Sequence, residues 1–294
     1  MSPQRVQLEY DTVGTRGPIS RCGVGLREPH LEHILKTKPD VAWFELLTDN
    51  YLQPNGPLWR QIDRVRGNYS MTFHGVGMSL GSVEPLDNTY LENLGQLMKR
   101  FEPAWVSDHI AFTHIGEKYF HDLLPVPYND EALEHLTQRI LQVQDSLGSS
   151  LVVENVSSYL QYQDSTIAEA EFISELLSRT DCRLLLDVNN VYVNSINHGF
   201  NARDYLANIP YEKVVEIHLG GYDDRGDYLL DAHNNMVTPP VWQLYAEVMQ
   251  FNHDIPTLIE WDNDLPDFEV LQDQATLAND IASQPSSILI GKSV

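Results

Sequence analysis

Residues 131–154 read EALEHLTQRILQVQDSLGSSLVVE. Up to Leu147 the apolar residues recur at the 3.6-residue spacing of an amphipathic helix, and Gly148 stands where such a helix stops. The next residues, 150–154 (SLVVE), form a short apolar run of the kind that makes a buried parallel strand. Helix followed by strand is the repeating unit of α/β proteins, and the unit recurs along the chain. The β-rich runs are 22–26 (CGVGL), 41–46 (VAWFEL), 70–74 (SMTFH), 104–109 (AWVSDH), 150–154 (SLVVE), 183–187 (RLLLD), 213–218 (KVVEIH) and 256–260 (PTLIE). Helical patterns lie between them, and 166–178 and 240–251 are further clear ones; Pro240 suits a first helical turn. No low-complexity segment, long linker or shift of composition divides the chain. Eight units in 294 residues match the count and length of a (β/α)8 TIM barrel, fold class α/β. The expected domain is one barrel over 1–294, with a core from about 20 to 282 and short N- and C-terminal tails. An open doubly wound sheet is the alternative, but no Gly-rich phosphate turn follows the first run.

The informative residues stand where these runs end. Seven of the eight finish at or beside a side chain able to bind metal: Glu45, His74, His109, Glu154, Asp187, His218 and Glu260. A parallel strand buried on both faces should read as continuous Val, Ile and Leu, so a terminal carboxylate or imidazole needs a reason. Each alone has an ordinary one, because a strand-end Asp caps a helix and a core His is usually a hydrogen-bonded structural residue. Seven at corresponding positions point to something shared. In a barrel the C-terminal strand ends converge on one face, where barrel active sites lie. Imidazoles and carboxylates gathered there would repel one another or be desolvated without a cation. Glu45 fits a residue that orients a ligand.

Two later segments enrich the same face. DVNNVYVNSINHGF offers Asn189, Asn190, Asn194, Asn197 and His198, and GGYDDRGDYLLDAHNN, read as a long loop, offers Asp231 and His233. The Asp-x-His spacing directs both side chains one way if the segment is extended. His30, His33, His114, His135 and His253 lie off the pattern as surface or packing residues. No thiolate is near, since Cys182 precedes the sixth run at the barrel's other end. Mixed N/O donors suit Fe, Mn or Zn better than Mg or Ca. The donors exceed one ion's needs, which implies two or three ions, and a central carboxylate such as Glu154 could bridge two of them.

Composition narrows the partners. Hydrophobic residues make up 42% and charged residues 21%, which describes a globular chain. The net charge of −23 opposes phosphate backbones and anionic membrane surfaces, so neither nucleic acid nor membrane is expected as a partner. The opening MSPQRVQLEY has no apolar signal core and no stretch is long enough to span a bilayer. Two lone cysteines, Cys22 and Cys182, make no disulfide framework. A cytoplasmic setting is expected.

The segments GVGLREPH, WFELLTDNY, FHGVGMSL, VSDHIAF, DLLPVPY, VVENVSSY, LLDVNNVYVNSINHGF, EIHLGGY, LDAHNN and LIEWDNDLP resemble the multinuclear non-haem iron-dependent oxidative enzymes. That family was formerly catalogued as uncharacterised, and its members include the methanobactin-biosynthesis iron oxidase. The similarity runs from about Gly23 to Pro266. It implies a xylose-isomerase-like barrel holding two or three iron ions. One ion would take Glu154, Asp187, His218 and Glu260; a second His74, His109 and a bridging Glu154; a third Asn190, Asp231 and His233. His74, His109 and Glu154 would be catalytic. At His121 the family usually has Asn, a departure that bears on local substrate contacts. The resemblance further implies an oxidase that uses dioxygen to modify cysteines of a ribosomally synthesised precursor peptide. A separate partner protein would recruit the peptide's leader. Zinc or manganese could occupy the sites as isolated. The alternative is a divalent-metal barrel hydrolase or isomerase acting on a sugar or phosphoester, and a non-enzymatic metal-binding scaffold is a third reading. The His74/His109 pair and the Asp231/His233 segment favour the oxidase.

Overall fold

The computed structural model describes residues 19–284 apart from Asn55, Pro57 and Glu117. The expected tails and the contacts of the His121 side chain lie outside the described residues. In chain order the strands are β1 (Cys22–Leu26), β2 (Trp43–Leu47), β3 (Ser70–His74), β4 (Val106–His109), β5 (Ala111–Ile115), β6 (Lys118–Pro125), β7 (Leu151–Glu154), β8 (Arg183–Asp187), β9 (Val214–Leu219), β10 (Tyr222–Asp224), β11 (Leu229–Asp231) and β12 (Thr257–Ile259). The helices are α1 (Leu31–Thr37), α2 (Trp59–Arg66), α3 (Asn88–Phe101), α4 (Asp130–Leu147), α5 (Glu169–Thr180), α6 (Val188–His198), α7 (Ala202–Ala207), α8 (Pro239–Val248) and α9 (Phe268–Ala282). Eight strands close a barrel in the order β1-β12-β9-β8-β7-β4-β3-β2, and the pairings within it are parallel. Each of the eight sequence runs overlaps one barrel strand.

Alternation along the strands sorts the side chains into two layers. Val24, Phe44, Phe73, Val153, Leu184, Leu186 and Ile217 face outward into the main core beneath the helices. Val152, Leu185 and Val215, with Trp105 against them, form a separate small cluster. Val152 and Leu185 stand two residues before Glu154 and Asp187 on the same strand face, so this cluster plugs the barrel directly under the polar strand ends. Register brings those ends level: His109 lies opposite Glu154 and Asp187 opposite His218.

Two departures from the sequence expectation have local causes. Helix α5 starts at Glu169 rather than near Thr166, because the Thr166 and Ile167 amides donate to the Tyr128 carbonyl at 2.9 and 3.0 Å. The expected loop after the seventh run contains the antiparallel hairpin β10–β11. A second hairpin, β5–β6, follows β4.

Candidate metal centre

Glu154 ends β7 in the middle of the site. Its Oε2 is 3.0 Å from His109 Nε2 and 3.4 Å from His74 Nε2, while its Oε1 is 3.8 Å from His218 Nδ1. One carboxylate thus faces two groups of donors. The two imidazoles beside it are fixed from behind. Ser107 Oγ donates to the Phe73 carbonyl, so at 2.8 Å from His74 Nδ1 it can accept from that ring. The Gly75 carbonyl, 3.1 Å from His109 Nδ1, can only accept. Both rings therefore carry hydrogen on Nδ1 and turn a bare Nε2 toward Glu154.

Across the barrel, His218 Nδ1 lies 3.0 Å from Glu260 Oε2. Its Nε2 points down between Glu45 Oε1 at 3.2 Å and Glu216 Oε1 at 3.5 Å. Thr72 Oγ1 donates to Glu45 at 3.1 Å and Trp105 Nε1 to Glu216 at 2.6 Å. Glu45 thus lies beneath His218 at ion-pair distance, although His218 Nε2 has no hydrogen-bond partner. Glu216 lies beside it, its Oε1 likewise unpartnered; its place two residues before His218, inside an apolar run, was its only sequence signal. At the rim, His233 Nε2 is 3.0 Å from Asp231 Oδ1 and 3.8 Å from Asp187 Oδ2. The 231–233 segment is not extended, since His233 has φ 43°; the two side chains meet because the backbone turns back.

The asparagines separate by role. Asn190 lines the site cavity; its Nδ2 donates to the Asn155 carbonyl and its Oδ1 has no partner. Asn189 donates to Asp231 Oδ1 at 2.8 Å. Asn194 clasps the 156–158 segment, Asn197 clasps Leu229 and His198 contacts Ser158, so these three support walls rather than face the cavity. The off-pattern His30 and His135 bind the Pro266 and Ser82 carbonyls, as packing residues do.

Burial sets the protonation of this cluster. It pushes the Glu154 carboxyl well above the ordinary range and Asp187 to about 7, and presses His109 down to about 4 and His74 well below its usual value. Burial also opposes charge on His218 and His233, but Glu45 and Glu260 beside the first, and Asp231 and Glu260 beside the second, raise both well above the usual imidazole value. Glu154 Oε2, Asp187 Oδ2, Asn190 Oδ1 and His233 Nε2 are buried without a hydrogen-bond partner, though such atoms are nearly always satisfied. Glu154, Asn190 and His233 line a cavity of about 330 Å³, and Asp187 Oδ2 lies behind them, 3.8 Å from His233 Nε2. Two sets of donor atoms, His74/His109/Glu154 and Glu154/Asp187/His218/Glu260, lie close enough to share an ion and have Glu154 in common. Mixed imidazole and carboxylate donors fit a transition metal.

The fold is an α/β TIM barrel, and solved structures share it. Endonuclease IV from Thermus thermophilus superposes with TM-score 0.59 at 14% identity, over 89% of this chain and 98% of that one. A protein assigned as a xylose isomerase from Rhodospirillum rubrum superposes with TM-score 0.57 at 15% identity, over 90% and 99%. At such identities the likeness is of fold alone. Sequence narrows the class: the model of a family described as RiPP precursor modification enzyme MbnB/TglH/ChrH matches residues 21–283. The chain belongs to that family. A UPF0276 protein of Acaryochloris marina is 46% identical over 261 residues, covering 89% of this chain and 94% of that one. Membership makes the chain a peptide-modification enzyme whose substrate is a precursor peptide.

Proposed function

We propose that this protein is a multinuclear non-haem iron, dioxygen-dependent oxidase that modifies cysteine residues of its precursor peptide, with a separate leader-binding protein presenting the peptide. The observation that carries this reading is Glu154, shared by two donor sets with its Oε2 buried and unpartnered. His74, His109 and Glu154 would hold one ion, Glu154, Asp187, His218 and Glu260 another, and Asn190, Asp231 and His233 a third. Iron in such a site supplies dioxygen chemistry and a strong acceptor for a thiolate.

The chain's own residues do the rest. The chain's two cysteines are buried away from the cavity, and burial pushes both thiols up, Cys182 to about 11. The thiolate to be oxidised therefore comes from the substrate. Leu47, Val76, Phe120, Leu123, Val156 and Tyr159 line the cavity around the donors; with a peptide seated, they exclude water and confine the cysteine side chain. His74 and His109, held at Nδ1 by strand and loop oxygens, keep their Nε2 atoms fixed without reorganisation. At about 330 Å³ the cavity admits side chains and leaves the rest of the peptide outside, which agrees with recruitment by a second protein.

The test is metal counting and dioxygen uptake on His74→Ala and His109→Ala. Each variant is expected to lose one ion, to stay folded, and to stop consuming dioxygen in the presence of a cysteine peptide. A wild type holding one ion, with both variants keeping that ion and full activity, would favour a hydrolase or isomerase of a sugar or phosphoester.

A further inference from the structure

Of the eight barrel strands, β1 alone ends without one of the expected donors. What stands just past its end is Arg27, a guanidinium whose side chain is only 10% exposed. It lies over Gly25, where a Cβ would fall 2.8 Å from Arg27 Nη1. Arg27 Nη2 pairs with Asp262 Oδ1, and Asp262 Oδ2 lies 3.3 Å from His233 Nδ1 within hydrogen-bonding geometry.

His233 is held in other ways too. Its φ of 43° is in the left-handed region that costs a non-glycine residue energy and persists only where the surroundings enforce it. The Asp262 amide donates to the His233 carbonyl at 2.7 Å, and Asn263 Nδ2 to the Ala232 carbonyl at 2.9 Å. The ring seats on Gly220, where a Cβ would come 2.3 Å from His233 Cδ2. The outcome of this bracing is one buried atom, Nε2, without a hydrogen-bond partner and directed at Asp231 and Asp187.

We propose that Arg27 is a positioning residue for the outermost metal site: it fixes Asp262, and Asp262 holds His233 Nδ1 so that Nε2 is left as the donor. The guanidinium has a second effect. His233, Glu260 and Asp262 could themselves gather an ion. A permanent positive charge on Asp262 opposes that by Coulomb repulsion and keeps the cation on the Nε2 side. Arginine suits the task because its planar fork fixes a carboxylate's orientation as lysine's point charge does not.

This rests on the multinuclear reading, and the test separates the two. Metal-free full-length wild type, Arg27→Gln, Arg27→Lys and Asp262→Asn are titrated anaerobically with ⁵⁷Fe(II), and each is examined by equilibrium dialysis and Mössbauer spectroscopy. In Arg27→Gln and Asp262→Asn the weakest-bound ion should lose about 10- to 100-fold in affinity, the usual effect of removing a ligand's supporting partner. One quadrupole doublet should disappear while the others keep their parameters. Arg27→Lys should recover part of the loss. Asp262→Asn leaves β1 untouched and serves if Arg27→Gln does not fold. A wild type with several ions and variants that bind all of them unchanged would overturn the role of Arg27 alone, as would variants that lose every ion together. A wild type with a single ion would overturn both readings.

Discussion

Glu154 is buried and Glu169 half-buried, and their neighbours give the two carboxylates opposite meanings. Glu154 is surrounded by imidazoles and carboxylates and has an oxygen without a hydrogen-bond partner, which suits the shared ligand of the proposed metal site. Glu169 borders a separate cavity of about 900 Å³, and its carboxylate accepts from the Tyr205 hydroxyl at 3.2 Å and is bonded by Tyr128. It is satisfied, yet desolvation of the carboxylate raises it to about 7 from an ordinary 4.5. Between those two values the folded protein keeps a proton that the unfolded chain has lost. Stability conferred at this position is therefore greatest below pH 4.5 and falls as pH rises to about 7. Glu169→Gln removes the effect. Its melting temperature should match wild type near pH 4.5 and exceed it by roughly a few degrees at pH 8; an offset that does not change with pH would contradict this assignment. The residues legible in sequence were those whose polarity clashed with a buried strand, which is why the seven strand-end donors stood out. Arg27, Glu216 and Asp262 did not: the first and last sit in polar segments just past strands, and Glu216 resembles a strand's solvent-facing residue until the barrel closes round it.

Among the elements, α6 shows how one residue serves fold and site together. Asp187 ends β8 and N-caps α6, its Oδ1 accepting from the Asn190 amide at 2.6 Å, while its Oδ2 has no hydrogen-bond partner and lies 3.8 Å from His233 Nε2. The cap fixes the carboxylate's rotation, and the first turn of the helix brings Asn190 to the same wall. Asp187→Asn keeps an oxygen for the cap and removes a buried acid, so its metal-free form should melt no lower than metal-free wild type. Asp187→Ala loses the cap and should be about 1 kcal/mol less stable than Asp187→Asn. Equal melting of the two variants by calorimetry would show that the cap does not stabilise α6. Both should bind metal more weakly. Barrel strands were readable as short apolar runs buried on both faces, and long helices by their periodic apolar face. The hairpins were not, because β10 (YDD) and β11 (LLD) are too short and too polar to show a strand period, and their pairing depends on contacts such as Asn197 to Leu229.

For the whole molecule, the barrel gathers acidic and imidazole groups at one end of a chain whose net charge is already −23. No helix among the described residues is long and apolar enough to cross a membrane. Cations bound at the strand ends would neutralise part of that charge and tie β3, β4, β7, β8, β9 and the 260–262 segment together. Ligands that bind only the native state stabilise it by mass action. Removal of metal with a chelator should therefore lower the melting temperature by roughly several degrees; identical melts after metal loss is verified would mean the site contributes nothing to the fold. The central claim is more specific than metal binding. The most direct measurement is anaerobic purification of the wild-type protein followed by iron analysis, Mössbauer spectroscopy and dioxygen uptake with and without a cysteine-containing precursor peptide. Two or more iron ions per chain are expected, with dioxygen consumption that requires the peptide's cysteine. A single ion per chain, or uptake indifferent to replacement of that cysteine by serine, would contradict the central claim.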